Sequence, residues 1–347
     1  MAAERSRSLQ PRRRQANGST RGALRRQVVA LANGVVETVN GTPVKSPLLP
    51  HGIVEHDGFA ANGRRWRLLE GDVRVALSKI QPKSVSCVVT SPPYYWQRDY
   101  GVGGQIGHEP TIEAYVSALV TSFRPLKNVL ADTGVFFLNL GDTFYSAKGR
   151  PHGKDKKNSG RQWARTTLRA VDGPGLGLPR KSLIGIPWRV ALALQQDGWT
   201  LRSDVVWKRP GTLPEPTAHD RPWLTHEHIF IFSKGPRYWF NRSALDGEED
   251  LWHIPARPDM PGTHFAPFPS ALVEKCLKCG CPPGGTVLDP FVGSGTTMAV
   301  GLKLGFDVVG IELKPEYCTF IRDRMTRTAL EDLAIGTTPT TRTSALR

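Results

Sequence analysis

The sequence is poor in long apolar runs and in cysteine. Nowhere in its 347 residues do about 18 apolar residues follow one another, as a transmembrane helix requires, so we expect no membrane partner. The N-terminus has no apolar core of about 7–15 residues, so we expect no secretory signal. Five cysteines are too few and too clustered for a disulfide framework, which favours the reducing cytoplasm.

A metal site is equally poorly supported. Cys276, Cys279 and Cys281 have spacings that could begin a zinc site, but no second Cys-x-x-Cys pair follows them. Because a structural zinc ion takes four ligands, we expect no metal.

Acidic residues are scarce relative to basic ones, 31 against 46, and the formal net charge is +15. The excess lies in two segments: residues 1–50 carry nine Lys and Arg and two acids, and residues 145–181 carry ten and two. The rest of the chain is balanced. Concentrated positive charge favours a polyanionic partner, nucleic acid first. A solubilising tail and a solvated loop are the alternative.

The chain divides by composition into three parts. Residues 1–60 form a basic segment with little periodicity, which we expect to be a disordered arm, and residues 336–347 a flexible tail. Between them, over 61–335, β-branched runs alternate with helical periodicity, which indicates an α/β domain with a parallel sheet. Within this domain we expect residues 145–181 to form a basic insertion. We expect residues 209–226 and 237–262 to form irregular excursions on either side of a strand over 228–233.

The first motif with chemical content is a strand, a glycine turn and a helix over 287–297, with Glu312 closing the next strand. In such a unit the glycines let the backbone approach a ligand, and the acid binds ribose hydroxyls. Only Gly293-Ser294-Gly295 is present, so a dinucleotide pyrophosphate is poorly supported. Asp289 suits the cationic end of an amino acid. A turn that merely connects strand to helix is the alternative.

The second motif is Ser91-Pro92-Pro93-Tyr94, directly after an apolar strand. Ligands of open α/β sheets bind beyond the carboxyl ends of the strands, where this loop lies. Two prolines remove N–H donors and leave carbonyls free to accept from an amine. Tyr94 offers a flat face on which a base can stack. An inert turn is the alternative.

Together these motifs resemble the amino-group DNA methyltransferases of bacteria and their phages, which use S-adenosylmethionine. The order, with the Ser91–Tyr94 tetrad first and the cofactor turn last, is similar to the β-type arrangement of that family. The resemblance implies a Rossmann-like methyltransferase sheet with irregular insertions, of which 209–262 would hold the target-recognition region. Weaker matches are Gly71-Asp72, Asn139-Leu140-Gly141-Asp142, Trp207-Lys208 and Phe268-Pro269.

The resemblance also implies residue roles. Ser91 Oγ and the Pro92 carbonyl would accept hydrogen bonds from the target amine, with Pro93 shaping the loop and Tyr94 stacking on a flipped base. Glu312 would bind the ribose and Asp72 the adenine. The implied cofactor residues are Asp72, Asp289, Pro290, Phe291, Gly293, Ser294, Gly295, Thr296 and Glu312.

DNA contacts and partners follow from the same interpretation. The cations that we expect to contact phosphates or bases are Lys154, Lys156, Lys157, Arg161, Arg165, Arg221 and Arg237. The expected partner is double-stranded DNA, with a homodimer and a cognate restriction endonuclease as further partners, in the cytoplasm of a bacterium or encoded by a phage.

The expected product is N4-methylcytosine, because a tetrad that opens with serine resembles the cytosine-N4 subgroup. The alternatives are adenine-N6 methylation, methylation of RNA or a protein amide, and a non-catalytic DNA-binding protein. No Pro-Cys pair precedes the cofactor turn, as methylation at carbon 5 would need.

Overall fold

The computed structural model describes residues 52–149 apart from 101 and 103, residues 168–256 apart from 212–214, 216 and 217, and residues 268–336. It also gives three strands between 27 and 44; for these, and for 327–336, only the backbone is described. The chain forms two compact units, 1–48 and 49–347.

The first unit contains β1 (Gln27–Leu31), β2 (Gly34–Val39) and β3 (Thr42–Val44), which pair antiparallel in that order. The sequence predicted a disordered arm here. The strands coincide with valine-rich runs, whose β-branched side chains favour extended backbone.

The second unit is built on one nine-stranded sheet. Its spatial order is β10-β8-β9-β7-β6-β11-β12-β5-β4. The five central strands β7, β6, β11, β12 and β5 run parallel, whereas β9 and β4 run antiparallel to their neighbours. The strands are β4 (Val54–Phe59), β5 (Arg65–Glu70), β6 (Val85–Thr90), β7 (Leu130–Leu140), β8 (Thr200–Lys208), β9 (His226–Ser233), β10 (Leu251–His253), β11 (Thr286–Asp289) and β12 (Asp307–Glu312).

Helices connect these strands and cover the sheet, which confirms the α/β class. They are α1 (Val73–Ala76), α2 (Ile112–Phe123), α3 (Leu126–Val129), α4 (Ile186–Gln196), α5 (Ser270–Gly280), α6 (Thr296–Lys303) and α7 (Pro315–Gly336). None of the helices in the described part of the chain has the length and apolar character needed to cross a membrane.

Both faces of the sheet are buried. On β7, Phe136 packs into one core layer and Phe137 into the other, because successive side chains of a strand point to opposite faces. All five cysteines are buried, and burial raises the pKa of the Cys279 and Cys281 thiols to about 12. Among the described residues, no group of three or more His, Cys, Asp or Glu side chains is arranged to hold a metal ion.

The sheet begins earlier than the sequence predicted. Strand β4 pairs with β5 but lies inside the span assigned to the arm, so the boundary at residue 61 is replaced by one before Val54. As an edge strand, β4 has four exposed residues and no buried one, and its acids Glu55 and Asp57 form ion pairs with Arg67 and Arg65. Charged alternation of this kind gives no apolar pattern to detect.

The crossover connections between the strands determine where on the sheet the site lies. From β11 the chain passes through α6 to β12 on one side, and from β6 it passes through α2 and α3 to β7 on the other. The carboxyl ends of β6 and β11 therefore flank the point where the strand order reverses, which is where open α/β sheets bind ligands.

Candidate functional site

Two cavities open at this point of the sheet. The larger, of about 540 Å³, is lined by the loop after β6, the glycine turn after β11 and the ends of β7, β8 and β9. The smaller, of about 90 Å³, lies between the ends of β5, β6 and β12. The residues that line both cavities are Ser91, Tyr100, Phe291, Gly293 and Tyr317, so one elongated ligand can reach from one cavity into the other.

Asp289 connects the two motifs. Its carboxylate accepts hydrogen bonds from Thr90 Oγ1 and Thr297 Oγ1, both at 2.6 Å, and from the Phe291 N–H at 3.1 Å. The side chain is buried, which raises the pKa of Asp289 to about 6. Although Asp289 lines the larger cavity, these bonds give it a structural role as well as the predicted contact with an amino-acid end.

The glycine turn has the backbone that its sequence predicts. Gly293 (φ 55°) and Gly295 (φ 80°) lie in the left-handed region of backbone conformation, which residues with a Cβ atom rarely adopt. Gly295 precedes α6 as its N-cap and lines neither cavity. The buried hydroxyls of Ser294 and Thr296 lie 3.3 Å apart at the larger cavity.

Glu312 faces the smaller cavity. Its carboxylate accepts from the backbone N–H of Gly293 and of Lys314, each at 2.9 Å. Loss of hydration raises the pKa of Glu312 to about 7. Pro290 and Asp72 line the same cavity. Asp72 also caps α1 through the Arg74 N–H at 2.8 Å and forms an ion pair with the Arg74 side chain.

The tetrad divides between the cavities. Ser91, Pro92 and Tyr94 line the larger cavity, and Pro93 lines the smaller one. Ser91 Oγ donates to the Tyr94 hydroxyl at 3.2 Å. The Pro93 carbonyl accepts from Tyr115 Oη at 2.8 Å, which fixes the loop on α2.

The Tyr94 ring requires a glycine at position 141. A Cβ built on Gly141 would lie 2.8 Å from Tyr94 Cε2, closer than carbon atoms approach. The Asn139-Leu140-Gly141-Asp142 string therefore shapes the cavity beside the tetrad.

One site residue, Glu227, escaped the sequence analysis. Glu227, at the start of β9, lies 2.7 Å from the Tyr94 hydroxyl through Oε2, and Arg209 binds its Oε1 at 2.7 Å. Because β9 runs antiparallel, its first residues meet the carboxyl ends of β7 and β6. The only local signal was polar residues ahead of an apolar run.

Asp142 stabilises the start of helix α4. Its carboxylate accepts from the backbone N–H of Thr143 (2.8 Å), Gly185 (3.0 Å) and Ile186 (3.1 Å), and so it holds the N-terminus of α4. Burial raises the pKa of Asp142.

Two of the predicted DNA contacts, Arg221 and Arg237, lie within the described residues, at opposite ends of the sheet. Arg221 lies near the larger cavity, where it pairs with Glu215 at 2.9 Å and stacks on Phe144 at 3.7 Å. Arg237 is exposed but follows the far end of β9, at the edge of the sheet opposite the cavities, where Trp239 N–H binds the Thr133 carbonyl. The remaining cations lie outside the described residues: Lys154, Lys156, Lys157, Arg161 and Arg165.

The chain is similar in sequence to DNA methyltransferases. The N6_N4_Mtase family, described as DNA methylase, matches residues 85–323. The chain is 42% identical over 278 residues to the Type II methyltransferase M.SmaI of Serratia marcescens, which covers 77% of this chain and 93% of that protein. It is 40% identical over 289 residues to the Type II methyltransferase M.Cfr9I of Citrobacter freundii, covering 81% and 93%.

Two solved structures share the fold. PvuII DNA methyltransferase (cytosine-N4-specific) superposes with a TM-score of 0.57 at 20% identity and covers 80% of this chain and 97% of that one. A putative DNA modification methylase of Thermus thermophilus, complexed with S-adenosylmethionine, gives a TM-score of 0.52 at 22% identity over 75% and 93%.

Proposed function

This chain belongs to the N6/N4 DNA methylase family, and we propose that it transfers a methyl group to the N4 amine of cytosine in double-stranded DNA. It is a Type II DNA methyltransferase, with S-adenosylmethionine as cofactor. The observation that carries the cytosine assignment is Ser91, a neutral hydroxyl at the head of the tetrad and at the junction of the two cavities. The PvuII enzyme, named as cytosine-N4-specific, has the same fold.

The residues around the two cavities fit S-adenosylmethionine. The Glu312 carboxylate, fixed by two backbone N–H groups, would accept from the ribose hydroxyls, and Asp72 would face the adenine. Asp289, Ser294 and Thr296 offer oxygen acceptors to the amino-acid end. When bound, the cofactor supplies a methyl group on a positively charged sulfur.

The chain's own residues would position the target base. In this proposal the base leaves the duplex and enters the larger cavity, where the Tyr94 ring contacts its face. Ser91 Oγ and the Pro92 carbonyl accept hydrogen bonds from the exocyclic amine and orient its lone pair. Near-attack placement then supplies much of the acceleration.

Methylation-aware sequencing tests this proposal in cells. DNA from cells that express the chain should carry N4-methylcytosine at one short sequence, and DNA from cells that express Ser91→Ala should carry little or none. N6-methyladenine at that sequence would overturn the cytosine assignment. Methylation confined to RNA or protein would overturn the DNA substrate.

The proposal extends to the partners. Because the relatives are named as Type II methyltransferases, we include a cognate restriction endonuclease and a location in the bacterial cytoplasm with the DNA. We also propose a homodimer, because the apolar side chains of Trp188 and Leu192 are exposed one turn apart on α4. Light scattering of the purified protein tests the dimer, which a monomer at micromolar concentration would contradict.

A further inference from the structure

A line of hydrogen bonds leads away from Ser91. Ser91 Oγ donates to the Tyr94 hydroxyl at 3.2 Å, and that hydroxyl lies 2.7 Å from Glu227 Oε2. The Tyr94 hydroxyl also lies 3.1 Å from Asn139 Oδ1. Because the hydroxyl has only one proton to donate, it donates to Glu227, which is the nearer acceptor and carries a charge. The side chain of Glu227 is only 12% exposed.

Neighbouring groups hold Glu227 in this orientation. Arg209 Nη1 binds Oε1 at 2.7 Å, which leaves Oε2 for the tyrosine. Asn139 Nδ2 donates to the same Oε2 at 3.1 Å and to the His228 carbonyl at 3.2 Å. A carboxylate therefore closes a continuous path that begins at the residue assigned to the target amine.

Methylation of an amine leaves a proton to be removed. The nitrogen shares its lone pair with the incoming methyl carbon, and the carbon–sulfur bond breaks with its electron pair kept by sulfur. The nitrogen then carries a positive charge until one N–H proton leaves. A serine hydroxyl can accept that proton only if it passes its own proton on.

We propose that Glu227 is the proton acceptor of the reaction and that Ser91 and Tyr94 relay the proton to it. The amine proton moves to Ser91 Oγ, the serine proton to the Tyr94 oxygen, and the tyrosine proton to Glu227 Oε2. Each hydroxyl gains one proton and loses one, the nitrogen keeps the electron pair of its N–H bond, and Glu227 becomes a neutral acid. This inference rests on the proposed transfer to a base amine and holds for cytosine and adenine alike.

Tyr94 is suited to pass a proton rather than to keep a negative charge. Burial and the adjacent Glu227 raise the pKa of Tyr94 well above its ordinary value, so the phenol stays protonated at rest. Glu227 itself lines the larger cavity, through which its proton can return to water after the product leaves. Its titratable and charged neighbours are Tyr94, Asp142, Arg209, His226 and His228.

The test is the pH dependence of single-turnover methyl transfer by Glu227→Gln, at saturating cofactor and with a duplex that carries the site found by sequencing. Glutamine keeps the shape and can still accept from Tyr94. We expect the rate to fall about 100-fold or more, as for loss of a general base. We also expect the wild-type rate to decline toward acid pH and this decline to be absent in the variant. A variant within threefold of the wild-type rate that keeps this decline would overturn the relay.

Three further variants separate the relay from general damage. Glu227→Asp restores a carboxylate and should recover part of the rate and the acid decline. His226→Asn removes the neighbouring titratable group and should keep the decline; its loss there would assign the acceptor to His226 instead. Asp204→Asn removes a carboxylate that pairs with His228 outside the cavity, and it should leave the rate within twofold.

A double-mutant cycle tests whether Tyr94 and Glu227 act in one path. Tyr94→Phe keeps the ring but removes the relay hydroxyl, so the double variant should be no slower than the slower single variant. If the rate losses of the two single variants multiply in the double variant, the relay is contradicted. Cofactor affinity by calorimetry and flipping of a fluorescent cytosine analogue should stay within twofold in both variants. Label on adenine in the wild type would overturn the base assignment alone and leave these comparisons valid.

Discussion

Glu312 couples cofactor binding to pH. The ribose hydroxyls would donate to its carboxylate and so favour the ionised form, whereas the free protein holds its pKa at about 7. Affinity for S-adenosylmethionine should therefore rise with pH up to about 7 and then level off. Below pH 7 the change approaches tenfold per pH unit, which calorimetry at pH 5.5–8.5 measures.

Glu312→Gln supplies the matched comparison for this prediction. The amide keeps an oxygen acceptor but cannot ionise, so its affinity should be about tenfold weaker at pH 8 and nearly flat with pH. Asp289, whose pKa is about 6, accounts for any slope that remains below pH 6. An unchanged pH dependence in the variant would contradict the ribose role of Glu312.

The site residues that the sequence predicted lie within two local strings. Ser91–Tyr94 and Asp289–Thr296 could be proposed because each string is contiguous, and the structure places both strings at the two adjoining cavities. Glu227 was missed because its position beside Tyr94 depends on the pairing of β7, β8 and β9, which no local pattern encodes.

Helix α4 depends on a carboxylate from another element. The carboxylate of Asp142, after β7, accepts hydrogen bonds from the backbone N–H groups of Gly185 and Ile186 at the start of the helix. Asp142→Ala should lower the free energy of unfolding by about 1–2 kcal/mol, the usual effect of losing a cap. Urea denaturation measures this decrease.

Asp142→Asn discriminates the structural role from a catalytic one. Asparagine keeps an oxygen that can accept these bonds, so the variant should retain most of its stability and its methylation rate. A full loss of activity in a stably folded Asn variant would assign Asp142 to the chemistry instead.

Elements with strong patterns were predicted closely. The sequence predicts strands over 200–208, 286–289 and 307–312, and β8, β11 and β12 have these bounds because their β-branched and apolar runs end at clear breaks. The amphipathic run from Val73 to Ile80 predicts one helix. In the structure α1 ends at Ala76, and the chain continues as a tighter 3-10 helix over Leu77–Lys79. Periodicity detects an apolar face but does not distinguish these two helical forms.

Positive charge is distributed unevenly over the whole molecule. The excess of +15 lies in residues 1–50 and 145–181, outside the balanced part that forms the cavities. Replacing Lys154, Lys156, Lys157, Arg161 and Arg165 with Gln should weaken DNA binding and lower its salt slope by about 0.9 for each phosphate that is no longer neutralised. Cofactor affinity should not change. Fluorescence anisotropy at salt concentrations of about 50–300 mM measures both affinity and slope.

Arg237 and Arg242 provide the control for this charge effect. Both are exposed near the end of the sheet opposite the cavities, so replacing them with Gln should leave the salt slope unchanged. If the salt slope falls equally in this control and in the insertion variant, the effect is a general one of net charge. If the insertion variant loses cofactor affinity, the insertion belongs to the catalytic fold.

The most direct measurement is nucleoside mass spectrometry of DNA incubated with the purified protein and labelled S-adenosylmethionine. The account predicts label in N4-methyldeoxycytidine, and none after reaction with Ser91→Ala. Label in N6-methyldeoxyadenosine instead, or no label in any nucleoside from a DNA library that contains all short sites, would contradict it.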